Sequence, residues 1–193
     1  MNKIRKLQTH IIFGVAIIAV ALLTSNPATA EHMQPDYPDF ILDHNVPATV
    51  CQVWGGNQEI ADYLSYSQYG RITNTHSFET LSVVCPISKN PQTSLASVEV
   101  FVTDNHFDSK VGCRLRKMNS HATKVKSSKS DSTAGLASGT GEDILYFPYV
   151  EHVASDGVAE FFVLFCTIPP QLTKSVKPSS INSIKIMEYE HPM

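Results

Sequence analysis

The densest group of ligand-type side chains in this sequence is one short turn, Asp104-Asn105-His106-Phe107-Asp108. Two carboxylates, a carboxamide and an imidazole so close together suit a hard cation. Calcium, which takes about six to eight oxygen ligands, is the cofactor such a turn would favour. The same turn offers His106 with Asp104 and Asp108 as working groups of a small hydrolytic or metal-dependent enzyme. Against both stand two facts. The turn lacks the central glycine and distal glutamate of a twelve-residue calcium loop, and Asp and Asn favour turns for backbone reasons alone. The leading expectation is therefore no cofactor, with Asp104, Asn105, His106 and Asp108 as the candidate ligands should a metal bind.

Nothing else in the chain resembles a catalytic constellation. His76, His106, His121 and His152 are far apart, and no His-x-His or His-x-x-x-His spacing occurs. There is no Gly-x-Ser-x-Gly elbow. Gly139-Thr140-Gly141-Glu142 has no phosphate-binding pattern behind it. Glu142 and Asp143 are adjacent, so on a strand they face opposite sides and cannot share acid/base work. No catalytic residue is assigned.

Aromatic side chains give the third chemistry. Trp54, Tyr63, Tyr66 and Tyr69 cluster in sequence, with Asn57 and Asn74 nearby. Rings that stack on sugar faces, beside carboxamides that bond sugar hydroxyls, make a saccharide or cell-surface ligand the expected partner. The competing reading is a core tryptophan and tyrosines that cap the end of a sandwich with their hydroxyls in water. Lys117, Lys124, Lys126 and Lys129 make one polar stretch locally basic, which reads as a solvated loop or a polyanion contact.

The elements that must hold these residues are strands. "TVCQVW" is β-branched and aromatic and stops at Gly55-Gly56-Asn57. "TLSVVCPI" puts Leu81, Val83, Cys85 and Ile87 on one face. "ASVEVFVTD" and "SKVGCRLRK" alternate around the 104–108 turn and read as the clearest hairpin in the chain. "AEFFVLFCTI" is apolar on both faces and reads as a central, fully buried strand. Ile181, Ile184 and Ile186 support a last strand. "EIADYLSYSQYG" is the one stretch suited to a short helix, and residues 118–141 read as a long exposed loop with at most a weak strand inside. Many short strands separated by turns, with almost no helical period, predict an all-β fold: an antiparallel β-sandwich of jelly-roll type.

Residues 1–30 have the layout of a secretory signal peptide. Lys3, Arg5 and Lys6 precede the apolar segment Ile11 to Leu23, and Ala28-Thr29-Ala30 supplies the cleavage site. The expected organisation is a signal peptide (1–30), an extended proline-rich arm (31–48) and a β-sandwich domain (49–193), with export to the periplasm or beyond. No later segment is apolar enough for a membrane span. Losing the leader's three cations takes the formal charge of the chain from −3 to −6, and an acidic protein is a poor partner for nucleic acid. All four cysteines, Cys51, Cys85, Cys113 and Cys166, lie in the exported part, with no Cys-x-x-Cys. Two structural disulfides are expected. Four cysteines allow three connectivities; the strand pattern favours Cys113 with Cys166 and Cys51 with Cys85.

The cysteines also stand within a longer pattern: Gly70-x-Ile72-x-Asn74, Val84-Cys85-Pro86-Ile87, Cys113-x-Leu115, then Cys166-Thr167-Ile168-Pro169. This resembles a set of small exported bacterial β-rich proteins of unassigned function. The resemblance implies a secreted, disulfide-bonded β fold and brings no activity or site residues with it. A non-catalytic binding or surface-interaction protein is the expected function. The alternatives are the small enzyme on the 104–108 turn and a structural secreted protein without a small ligand.

Overall fold

A computed structural model describes residues 41–55, 61–134, 141–148, 150, 160–173 and 176–190. These belong to a compact unit spanning Tyr37–Met193; residues 1–30, where a signal peptide is expected, and residues 31–40 of the arm lie outside them. Eleven strands appear among the described residues: β1 (Ile41–Pro47), β2 (Gln52–Val53), β3 (Leu64–Tyr66), β4 (Ile72–Asn74), β5 (Leu81–Ile87), β6 (Thr93–Thr103), β7 (Gly112–Asn119), β8 (Val125–Ser132), β9 (Glu142–Pro148), β10 (Glu160–Ile168) and β11 (Ser180–Glu190). They form two antiparallel sheets. Sheet A runs β3-β4-β11-β6-β9, with β1 also paired to β11, and sheet B runs β2-β5-β10-β7-β8. The fold is an antiparallel, jelly-roll-like β-sandwich.

Period-two alternation decides what each strand buries. Val98, Val100 and Val102 of β6 and Leu145 and Phe147 of β9 turn inward from sheet A. They meet Val83, Leu115, Phe162, Leu164 and Ile168 from sheet B in one apolar core. Each such side chain contributes roughly 1.5–3 kcal/mol on burial. In β11 the inward positions change phase, from Ile181 to Ile184 and Ile186. A bulge between Ile181 and Ser183 supplies the extra residue and keeps all three isoleucines buried.

Both disulfides form as the strand pattern favours, Cys51–Cys85 and Cys113–Cys166, with Cα atoms 4.1 Å apart in each. Cys113 and Cys166 are direct cross-strand partners on β7 and β10. Cys51 lies one residue beyond the Gln52–Val84 pair of β2 and β5. Both bridges therefore stitch neighbouring strands within sheet B.

Several local expectations are corrected. The segments around the 104–108 turn are not a hairpin: β6 belongs to sheet A and β7 to sheet B. Alternation reports which face is wet, not which strand is the neighbour, and residues 104–111 carry the chain across the core. β7 forms its hairpin with β8 instead. Asn119 Oδ1 closes its turn by accepting the N–H groups of Thr123 and Lys124, both at 2.9 Å. β8 lies where a loop was expected. Its residues are nearly all exposed, so no apolar period could betray it, and its lysines suit an edge strand. The last part of the arm, 41–47, is strand β1, and Pro47 at its end costs nothing because β1 pairs only with β11. "TVCQVW" contributes only Gln52–Val53 to the sheet, after one 3-10 turn, Ala48–Val50. From Asp62 onward the expected helix is turn and strand, with Leu64–Tyr66 paired to β4. Finally, β10 is central but not buried on both sides. Phe161 and Thr167 on its outer face are exposed, and Val163 and Phe165 are half-buried.

Candidate functional site

The 104–108 turn is spent on architecture. Asp104 is buried. Its Oδ1 accepts from His106 N (3.0 Å) and Ser179 Oγ (3.2 Å), and its Oδ2 accepts from Val111 N (3.3 Å) and from the Thr133 hydroxyl. Its backbone N–H donates to Gly141 O at 2.6 Å. Gly141 has φ +72, and a Cβ there would fall 2.4 Å from Asp104 O, so only glycine fits. His106 is buried too, and its Nδ1 accepts the N–H groups of Asp108 (3.1 Å) and Ser109 (2.9 Å). That leaves the ring proton on Nε2. Asn105 donates to Pro178 O at 3.1 Å. Asp104 and His106 are thus engaged by the chain itself through Oδ1, Oδ2 and Nδ1, Asn105 is tethered through Nδ2, and among the described residues no three His, Cys, Asp or Glu side chains converge.

The aromatic set divides. Asn74 is wholly buried. Its Nδ2 donates to Glu79 O (2.8 Å) and Ile168 O (2.9 Å), and its Oδ1 accepts from His76 N (2.8 Å). It ties β4 to the end of β10 and has nothing left for a ligand. Tyr63 packs edge-on against His76, centroids 4.3 Å apart, and Tyr66 donates its hydroxyl to Cys51 O at 3.3 Å. Tyr69 is exposed on a turn. These tyrosines belong to β3 and its flanks, at the edge of sheet A.

Trp54 stands elsewhere, on the outer face of sheet B, and 58% of its surface is exposed. Its N–H donates to Ser82 O at 2.8 Å, which extends the β2–β5 ladder by one residue. Gly55, at φ +112, then turns the chain away. The strand register places two outward rows beside it. Trp54, Ser82, Thr167, Gly112 and Ser132 make the first, and Gln52, Val84, Phe165, Arg114 and Ser130 the second. Gly112 has no side chain in the middle of its row. A groove of about 570 Å³ opens there, lined by Trp54, Ser82, Arg114, Arg116, Phe165 and Thr167 among others. That volume is within the ~300–1,000 Å³ usual for small-ligand sites.

Contacts around the groove hold its walls. Trp54 meets Phe165 edge-on, with centroids 5.1 Å apart and planes at 90°. The Arg116 guanidinium lies over the Phe165 ring, its carbon 4.4 Å from the centroid. Such ring pairs contribute about 0.5–1.5 kcal/mol beyond their buried area. Arg114 Nε donates to Ser130 Oγ at 2.9 Å. The outcome is a polar trough with an aromatic rim, rich in donors and hydroxyls and without a nucleophile–base pair.

Of these residues the sequence reading singled out only Trp54. Phe165 and the two arginines went unrecognised, although Phe161, Val163 and Phe165 alternate with the buried Phe162, Leu164 and Cys166. A second apolar face on a strand of an open sandwich is a surface feature, and that was the signal available.

No protein-family model matches the chain, and no curated protein matches it. Similar solved structures include a xylan-binding module, CBM15, at 14% identity and a TM-score of 0.47, covering 79% of this chain and 99% of that one. A low-affinity xylan binding module, CBM86, from the gut symbiont Roseburia intestinalis is 13% identical, with a TM-score of 0.38 and coverage of 75% and 94%. A family 35 carbohydrate-binding module from Clostridium thermocellum is 10% identical, with a TM-score of 0.38 and coverage of 75% and 97%.

Proposed function

We propose that this protein is an exported, non-catalytic saccharide-binding module whose ligand lies along the outer face of sheet B. The observation that carries the reading is Trp54: a large exposed ring, braced by Phe165, at the rim of a groove lined with hydroxyls and guanidinium groups. Sugars present apolar C–H faces and a girdle of hydroxyls, and this rim and floor complement both. Export is supported by the leader-like residues 1–30, which lie outside the described residues, and by two disulfides, which persist in oxidising compartments. Among the described residues no helix is long and apolar enough to cross a membrane.

Trp54 is the sole tryptophan of the chain, so its fluorescence reports the groove directly. A panel of plant, microbial and animal glycans is expected to include one that shifts or quenches that emission and releases heat in calorimetry. Trp54→Ala should weaken its binding by about tenfold or more, as loss of a central aromatic anchor does. A panel in which no glycan gives either signal would sink the reading.

Gly112 offers a test that leaves the walls intact. It is not at positive φ, and a Cβ there meets Thr167 Oγ1 at 3.5 Å and Ser132 Cβ at 3.7 Å, ordinary contacts. Gly112→Val should fill the floor of the groove and abolish binding. Urea denaturation should place its stability within about 1 kcal/mol of the parent, because valine suits a strand better than glycine. Undiminished binding in this variant would place the ligand elsewhere.

A further inference from the structure

We propose that the saccharide taken by this groove is acidic, bearing carboxylates of the uronic-acid kind, and that Arg114 and Arg116 read them. The inference rests on the saccharide-binding reading and names the class of ligand within it. Arg114 and Arg116 are two residues apart on β7, so both project from the outer face, about 7 Å apart along the strand. Among the described residues neither takes part in an ion pair; the pairs are His44–Glu188, Lys117–Glu160 and Lys185–Asp43. Asp131 is the carboxylate residue among those lining the groove, and its oxygens already accept Ser132 N (2.8 Å) and Tyr146 N (2.9 Å). In a protein of net negative charge, two neighbouring cations without a carboxylate partner line the groove that holds the exposed tryptophan.

Their side chains are also set in place. The Arg116 guanidinium carbon sits over the Phe165 ring, 4.4 Å from its centroid, and a guanidinium on an aromatic face keeps N–H groups for hydrogen bonds. Arg114 is held through Nε by Ser130, which leaves its two terminal nitrogens for a ligand. A planar carboxylate accepts a pair of parallel N–H bonds from such a fork. It also relieves the repulsion between like charges on one strand. A neutral sugar would do neither.

The test compares polygalacturonate with the same polymer after chemical reduction of its carboxyl groups, and with dextran sulfate, by calorimetry and Trp54 fluorescence. The acid polymer is expected to bind at least about tenfold more tightly than the reduced one, and Arg114→Ala and Arg116→Ala are each expected to cost about tenfold. Arg116→Lys keeps the charge but not the fork, so it should recover less than half of that loss in free-energy terms. Circular dichroism melting verifies that each variant is folded, and Arg116→Met, which retains cover on Phe165, serves if the alanine variant melts early. Equal binding of acid and reduced polymers, with Trp54→Ala still damaging, would overturn the acidic inference and leave the saccharide reading standing. An acid preference untouched by either arginine substitution would also overturn it, and would move the charge to the lysines of β8 and its turn. Dextran sulfate binding as tightly as the carboxylate polymer, with full rescue by Arg116→Lys, would reject carboxylate recognition in favour of unspecific charge. If no saccharide, acidic or neutral, binds by either method, both readings fall together.

Discussion

Replacing Cys113 and Cys166 together by alanine is expected to cost about 4 kcal/mol of folding stability. The bridge closes a loop of sequence separation 53, and chain-entropy reasoning assigns roughly that much to a loop of this length. Cys51–Cys85, with separation 34, carries a similar amount. The two together are comparable to the ~5–15 kcal/mol by which a domain is usually stable. Fully reduced protein is therefore expected to be largely unfolded at 37 °C, and each double-alanine variant to survive alone with a lowered denaturant midpoint. A loss below about 1 kcal/mol for the Cys113–Cys166 pair would mean that core packing alone holds β7 against β10. The substitution has a second consequence, because Arg114 follows Cys113 and Phe165 precedes Cys166. Loosening this bridge loosens the groove itself.

Asp104→Ala is the other change with a large expected effect, about 3–5 kcal/mol of destabilisation measured by urea denaturation. The carboxylate is buried and accepts from two backbone N–H groups of its own connection and from the hydroxyls of Thr133 and Ser179, three segments in all. Removing it leaves buried donors without partners, at about 1–3 kcal/mol each. Val111 N is spared part of this, because it also reaches Thr133 Oγ1 at 3.1 Å. Asp104→Asn keeps one acceptor oxygen and should lose clearly less than the alanine variant. Similar losses from the two would show that the crossing from sheet A to sheet B does not depend on these bonds.

What could be read from residues alone was governed by burial. Leu81, Val83, Cys85 and Ile87 declared β5 because one face is dry and the other partly wet, and β6 followed the same rule. β8 was hidden because both its faces are wet and its pairing is a backbone matter. The partner of β6 was misjudged because alternation carries no information about neighbours, only about sides. The cysteines do carry it. Once Cys113 is set against Cys166, antiparallel register requires Phe165 to oppose Arg114, and half of the groove could have been deduced from that one pairing. Asn74 misled for a simple reason: a carboxamide near tyrosines looks like a sugar ligand, while its use as a buried clamp depends on carbonyls that only the fold brings to it, such as Ile168 O.

The place of β11 bears on how the molecule is made. The last of the described strands lies inside sheet A, with β6 along one side and β4 and β1 along the other. Ile41 finds its partner only in Tyr189. A nascent chain cannot close this sheet until β11 has been synthesised, long after β1, β4 and β6, and such distant pairings are slow to form. The polypeptide thus has a built-in interval in which sheet A stays open and the edges of β1, β4 and β6 wait for their common partner.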